Sequence, residues 1–178
     1  MEKRNNIIRI AITGPESSGK TTLAKQLALH FNTVWVPEYA RKYLNTNGNN
    51  YNYNDLEKIA RGQLLSEKKI MKSAKHFLFA DTEMLVIKIW SQYKYGKCSQ
   101  WILDTLKEHR YNLFLLCKND LPWAYDSLRE NPDITERNIL FEMYKTELEN
   151  YEFPYVVISG KGEKRINAAI NAVLQFKY

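Results

Sequence analysis

The chain has 178 residues, of which 44% are hydrophobic and 26% charged, enough for one domain with a substantial core and too few for two ordinary ones. The net charge of +6 is scattered among acids, as in Glu67-Lys68-Lys69 and Glu163-Lys164-Arg165, which argues against a nucleic-acid-binding face and for a polyanionic small molecule. Cys98 and Cys117 lie far apart without C-x-x-C spacing, and His30, His76 and His109 form no metal-spaced cluster; both observations point away from a disulfide framework and from a His/Cys metal centre.

Residues 2–6 are polar, and the short apolar stretch after them is broken by Arg9. Neither a signal peptide nor a membrane span is expected, and the expected location is the cytoplasm. The run 7–13 reads as a strand, and 22–31, with Leu23, Leu27 and Phe31 at helical spacing, as a helix. Between them stands Gly14-Pro15-Glu16-Ser17-Ser18-Gly19-Lys20-Thr21, which satisfies every fixed position of the phosphate-binding loop G-x-x-x-x-G-K-[ST]. Gly14 and Gly19 let successive N–H groups point at one anion, and the helix that follows adds its positive dipole end. Ser17, Ser18, Gly19, Lys20, Thr21 and Thr22 are the expected nucleotide contacts. Lys20 would reach the β- and γ-phosphates of ATP, and the Thr21 hydroxyl would ligate Mg²⁺.

A second strand, 34–36, ends at Pro37 and delivers Glu38 and Arg41 into a helix through Leu44, followed by a polar Asn-rich loop over 45–54. Asn54 and Glu57 have capping-box spacing, so a helix is expected over 55–73, with Gln63 on its apolar stripe. Further expectations are a strand over 76–81 ending in Asp81, a helix over 82–95 stopped by Gly96, a helix over 101–108 and a strand over 111–117. A helix over 133–151, a strand over 155–159 and a helix over 163–176 complete the order. Apolar strands alternating with helices give an α/β fold, a five-stranded parallel sheet with helices on both faces, as one domain over 1–178.

Ligands of such sheets gather at the carboxyl ends of the strands, where Thr13, Gly14, Glu38, Asp81, Asn119, Asp120 and Gly160 all fall. Asp81 is the expected second magnesium-associated carboxylate, or an acid that only marks a strand end. Glu38 stands where a kinase needs a base to deprotonate the attacking hydroxyl; the other reading is a helix-opening acid paired with Arg41. The polar stretch 118–140 is the place for a lid, whose Arg129 and Arg137 would neutralise phosphoryl charge; Arg137 fits a solvated helix face equally well. Gln63 would bond a substrate or a backbone carbonyl. The segment from Gly160 to Arg165 would cradle an adenine edge or form a turn.

The phosphate loop filled by Pro15-Glu16-Ser17-Ser18, followed by Pro37-Glu38-Tyr39-Ala40-Arg41, resembles the ribosylnicotinamide kinase domain of the NadR family. Downstream, Asp81-Thr82, Lys88-Ile89-Trp90-Ser91, Leu121-Pro122-Trp123 and Leu128-Arg129 continue the likeness in order. The resemblance implies an adenylate-kinase-like P-loop NTPase that transfers phosphate from ATP to the 5′-hydroxyl of nicotinamide riboside. Lys20, Glu38, Arg41, Asp81 and Arg129 would be its catalytic residues, and Thr21 and Asp81 its magnesium side. Asp126-Ser127-Leu128-Arg129 stands where members often show Asp-Gly-x-Arg, and no His-x-Gly-His occurs, so a separate adenylyltransferase would complete NAD. A kinase for another nucleoside and a regulatory ATPase without an acceptor are the alternatives; no nucleic-acid or membrane partner is expected.

Overall fold

The computed structural model describes residues 7–176. Its five strands form one parallel sheet in the order β2-β3-β1-β4-β5: β1 (Ile8–Thr13), β2 (Val34–Val36), β3 (Phe77–Asp81), β4 (Leu113–Cys117) and β5 (Tyr155–Ile158). In β1, β3 and β4 nearly every residue is buried, as a sheet covered on both faces demands. β5 is an edge strand and leaves Val156 and Val157 39% exposed, so its apolar run is only half used.

Two cores sandwich the sheet. One packs α1 (Lys20–His30) and α7 (Glu163–Gln175) on Ile10, Ile12, Phe79 and Leu115. The other packs α2 (Tyr39–Asn47), α3 (Tyr53–Met71), α4 (Met84–Tyr95), α5 (Gln100–Glu108) and α6 (Ile134–Asn150) on Ala11, Leu78, Ala80 and Phe114. The sheet and its two helical layers match the α/β expectation. Because side chains alternate across a strand, neighbours such as Ala11 and Ile12 serve opposite cores.

Two local readings are corrected. The capping box of α3 is built by Asn52 and Asp55, not Asn54 and Glu57: Asn52 Oδ1 accepts from Asn54 N at 2.9 Å, and Asp55 Oδ2 accepts from Asn52 N at 2.9 Å. Both pairs share the three-residue spacing, and α2 running on to Asn47 leaves a shorter loop than expected. Nor is Thr82 helical: it has φ +72°, and Glu83 caps α4 by accepting from Leu85 N at 2.6 Å. The chain turns sharply between Asp81 and α4 because β3 must stop and a helix must start within two residues. Among the described residues no helix is long and apolar enough to cross a membrane.

Candidate active site

The phosphate loop wraps the N-terminus of α1 with φ +132° at Gly14, +56° at Ser17 and +80° at Gly19. A Cβ on Gly14 would lie 2.6 Å from the Cys117 carbonyl oxygen, so glycine is required there by contact as well as by backbone angle. Ser18 Oγ donates to Pro15 O at 2.7 Å, and Lys20 Nζ curls back to Gly14 O (2.8 Å) and Pro15 O (2.7 Å). The ammonium thus hangs over the concavity where an anion would sit.

Arg165, in the first turn of α7, braces the loop from behind. It donates to Ser18 O (2.7 Å), Lys118 O (2.9 Å), Gly160 O (2.9 Å) and Asp120 Oδ1 (2.8 Å). Asp120 also accepts from Gly160 N at 2.7 Å, and Asn119 bonds Asn138 at 2.6 Å. Asp120 and Gly160 therefore build this brace and Asn119 pairs with α6, so none of the three is on the cavity wall, which corrects the expectation that all the strand ends would share it. Of the two readings of 160–165, the structure shows the turn, tied to Arg165 through Gly160 O. A lone arginine in a helical first turn carries no sequence signal for such a role.

Thr21 Oγ1 donates to Asp81 Oδ2 at 2.6 Å, joining loop and β3. Asp81 is 1% exposed; burial pushes its carboxyl above the usual range, against the pull of the Thr21 hydroxyl and Lys20. Asp81 Oδ1 is buried without a partner. A hydroxyl, a carboxylate and an orphaned oxygen are the hard donors that suit a magnesium-sized cation completed by phosphate oxygens. No group of three or more His, Cys, Asp or Glu side chains among the described residues could hold a metal without such help.

A cavity of about 350 Å³ opens in front of the loop. Gly14, Ser17, Ser18, Gly19, Lys20, Thr21 and Thr22 line it together with the apolar and aromatic side chains of Leu44, Val86, Ile89, Trp90, Tyr93 and Tyr144. Glu38 and Arg41 share the same wall. Glu38 begins α2 but makes no side-chain capping bond. Burial raises its carboxyl above the usual range, Lys20 and Arg41 hold it down, and Asp81 and Glu16 push it up. Arg41 Nε is 3.9 Å from Glu38 Oε2, and its Nη1 binds Asp126 Oδ2 at 2.9 Å. Gln63 underpins this corner by accepting from Tyr39 N at 2.7 Å and donating to Pro37 O at 3.3 Å, the backbone option of the two expected.

Residues 124–131 pack against the loop. Arg129 Nη1 donates to Ala124 O (2.5 Å) and Ser17 Oγ (3.4 Å), and Ser17 Oγ accepts from Ala124 N (3.0 Å). Glu16, unassigned by the motif, accepts from Glu130 N and from Asn131 N. Arg137 is 4% exposed and reaches Leu121 O at 3.4 Å. That excludes the solvated helix face and makes Arg137 an inner strut of the lid, not a group on the cavity wall. Tyr144, on α6, was also not marked in advance; its helical spacing reads only as core.

The family model AAA_28, described as an AAA domain, matches residues 9–165. The trifunctional NAD biosynthesis/regulator protein NadR of Salmonella typhimurium is 34% identical over 155 residues, covering 83% of this chain and 37% of the relative. Its Escherichia coli counterpart is 34% identical over 152 residues, covering 81% and 37%. The chain therefore spans little more than a third of the length of these relatives. Among solved structures, a NadR protein in complex with NAD and AMP-PNP superposes with TM-score 0.74 at 20% identity, covering 96% of this chain and 49% of that one. A NadR protein in complex with NR gives 0.73 at 19% identity, covering 96% and 50%. Deoxyadenosine kinase from M. mycoides gives 0.59 at 15% identity, covering 94% and 100%. At these identities the superpositions establish the P-loop fold.

Proposed function

Because this chain belongs to the AAA_28 family of AAA domains, we propose that it is an ATP-dependent kinase that phosphorylates the 5′-hydroxyl of nicotinamide riboside to nicotinamide mononucleotide. The observation that carries the reading is one cavity lined by three kinds of group. The phosphate loop, a set of aromatic and aliphatic side chains and the Glu38 carboxylate all face it. A regulatory ATPase needs the first of these but neither of the others. The likeness to the trifunctional NAD biosynthesis/regulator protein NadR and to a NadR structure holding NR supports the choice of acceptor.

In this reading the loop N–H groups and Lys20 cradle the phosphates of ATP, and Lys20 exchanges its two carbonyl bonds for phosphoryl oxygens. Thr21 and Asp81 would hold Mg²⁺, which would supply neutralisation of the phosphate charge. The riboside lies against the aromatic side chains with its 5′-hydroxyl toward Glu38. Glu38 accepts the hydroxyl proton as the oxygen attacks the γ-phosphorus and the bond from that phosphorus to the bridging oxygen of ADP breaks. A carboxylate whose pKa is raised by burial is a better acceptor than one in water, and its position fixes the direction of attack. Arg41 and Arg129 meet the charge on the transferring group. Arg129 must first release Ala124 O.

The test is turnover of a riboside panel with ATP: nicotinamide riboside, adenosine, cytidine, uridine and thymidine. The expected outcome is highest kcat/KM for nicotinamide riboside, with product stopping at the mononucleotide. A better pyrimidine nucleoside would replace the acceptor. ATP hydrolysis that no nucleoside stimulates would replace the reaction.

A further inference from the structure

We infer that Glu130 is a positioning residue that ties the aromatic wall of the cavity to the phosphate loop, so that a ligand on one orders the other. The inference rests on the kinase reading for its kinetic meaning, though its geometry stands by itself. Glu130 is bonded in both directions. Its backbone N–H donates to the Glu16 carboxylate at 3.0–3.1 Å, and Glu16 is part of the phosphate loop. Its own carboxylate accepts from Tyr51 Oη at 2.9 Å and from Lys94 Nζ at 2.8 Å.

Tyr51 passes the constraint on. Its hydroxyl accepts from Trp90 Nε1 at 2.8 Å and from Lys94 Nζ at 2.6 Å, and its ring meets the indole edge to face at 4.8 Å. Trp90 lines the cavity where the acceptor would lie, and Lys94, Glu130 and Glu16 line it too. Burial pushes the Tyr51 phenol up to about 12, so it keeps the proton it donates to Glu130 while accepting from the other two groups.

A continuous chain thus runs from Glu16 through Glu130 and Tyr51 to Trp90, across elements that are distant in sequence. The Lys94 and Glu130 side chains are 35% and 42% exposed, and ion pairs so exposed contribute little to stability. What the chain supplies is placement. The lid cannot leave the phosphate loop without loosening the indole, and a nucleotide that anchors the loop makes the indole's position cheaper to hold. Both ends then bias one element, the condition for linkage between sites.

The test uses the intact protein, with Glu130→Ala, Glu130→Gln and Glu16→Ala as variants and Trp90→Phe to assign the indole N–H resonance among the four tryptophans. Saturating AMP-PNP is expected to shift the Trp90 resonance in the parent protein. Glu130→Ala and Glu16→Ala should abolish the shift, and Glu130→Gln, which keeps an acceptor, should retain most of it. In kinetics, Glu130→Ala should raise the acceptor KM measured at saturating ATP about 5- to 10-fold, the low end for coupling between sites, and the ATP KM measured at saturating acceptor by a similar factor, because linkage is reciprocal. A parent-sized shift in either Ala variant, or an unchanged acceptor KM, overturns the inference, as does an Ala variant that no longer folds. If no riboside is phosphorylated, the kinase reading fails, while the resonance still decides whether the two ends are linked.

Discussion

At the amino ends of the strands, Glu67 is 1% exposed and fully engaged: Arg9 Nε lies 2.9 Å from it, His109 Nε2 3.1 Å, and the Tyr111 hydroxyl donates to it. Burial alone would raise its carboxyl, yet His109, Arg9 and Tyr111 together hold it below the usual range. At the carboxyl ends, Asp81 and Glu83 are equally buried but pushed the other way, Glu83 to about 7. Arg9 Nη2 lacks a partner near Glu67; at the other end Asp81 Oδ1 and Thr82 Oγ1 lack one, beside the positive φ of Thr82, while Thr13 faces the Glu83 carboxylate. One sheet therefore carries a satisfied acid cluster at one end and an unsatisfied one at the other. Unpaired buried polar atoms and left-handed backbone both cost stability, and they persist where a ligand is meant to complete them.

The contrast breaks most visibly at the carboxyl end. Replacing Lys20 with Met should reduce phosphoryl transfer by at least about 10²–10³-fold, the loss typical of one removed electrostatic donor, without unfolding the chain. Turnover measured beside Tm checks this, and a variant with near-normal turnover would take the loop out of the mechanism. Glu38→Gln keeps size and hydrogen bonding but cannot accept the proton, so kcat should fall about 10²–10⁴-fold with ATP affinity unchanged. An unchanged kcat would make Asp81 the next candidate for the base.

The amino end should respond in stability alone. Glu67→Ala strands the Arg9 charge and should cost about 3–5 kcal/mol, with kcat intact in whatever fraction stays folded. Urea unfolding with parallel kinetics distinguishes this from a site effect. Because Glu67 is held below its ordinary pKa, the stability it contributes is present above pH 4.5 and is lost as pH falls further.

Glu83 has the opposite sign. Its folded pKa is raised from 4.5 to about 7, so its contribution is fully present below pH 4.5 and is lost as pH rises through about 7. Glu83→Gln should flatten that decline by on the order of 1–3 kcal/mol between pH 4.5 and 7.5. Parallel pH profiles for the parent and variant would show Glu83 to be paired after all.

How much of this was legible in the chain follows from the range of each signal. The phosphate loop, the strand ending in Asp81 and the alternation of apolar strands with helices are local patterns, and they specify the parallel α/β sheet and the Lys20, Thr21 and Asp81 side of the site. Backbone sterics at Gly14 and the helix dipole at Lys20 act within a few residues, so spacing alone reveals them. Glu38 was marked because Pro37 ends a strand just before it. The Asn52 cap was missed because nearby Asn54 and Glu57 fit the same spacing, and only packing chooses between them.

The rest is long-range pairing. Arg165 behind the loop, Arg137 inside the lid, Glu67 beneath the sheet and Glu130 bonded to Tyr51 each meet partners 16 to 147 residues away. No periodicity records such partners. The sequence by itself determined which residues can make an anion cradle and where the strands end. Only the tertiary structure decided which buried acids are neutralised by a partner and which are left for a ligand, because desolvation and charge pairing depend on what the fold brings within a few ångströms.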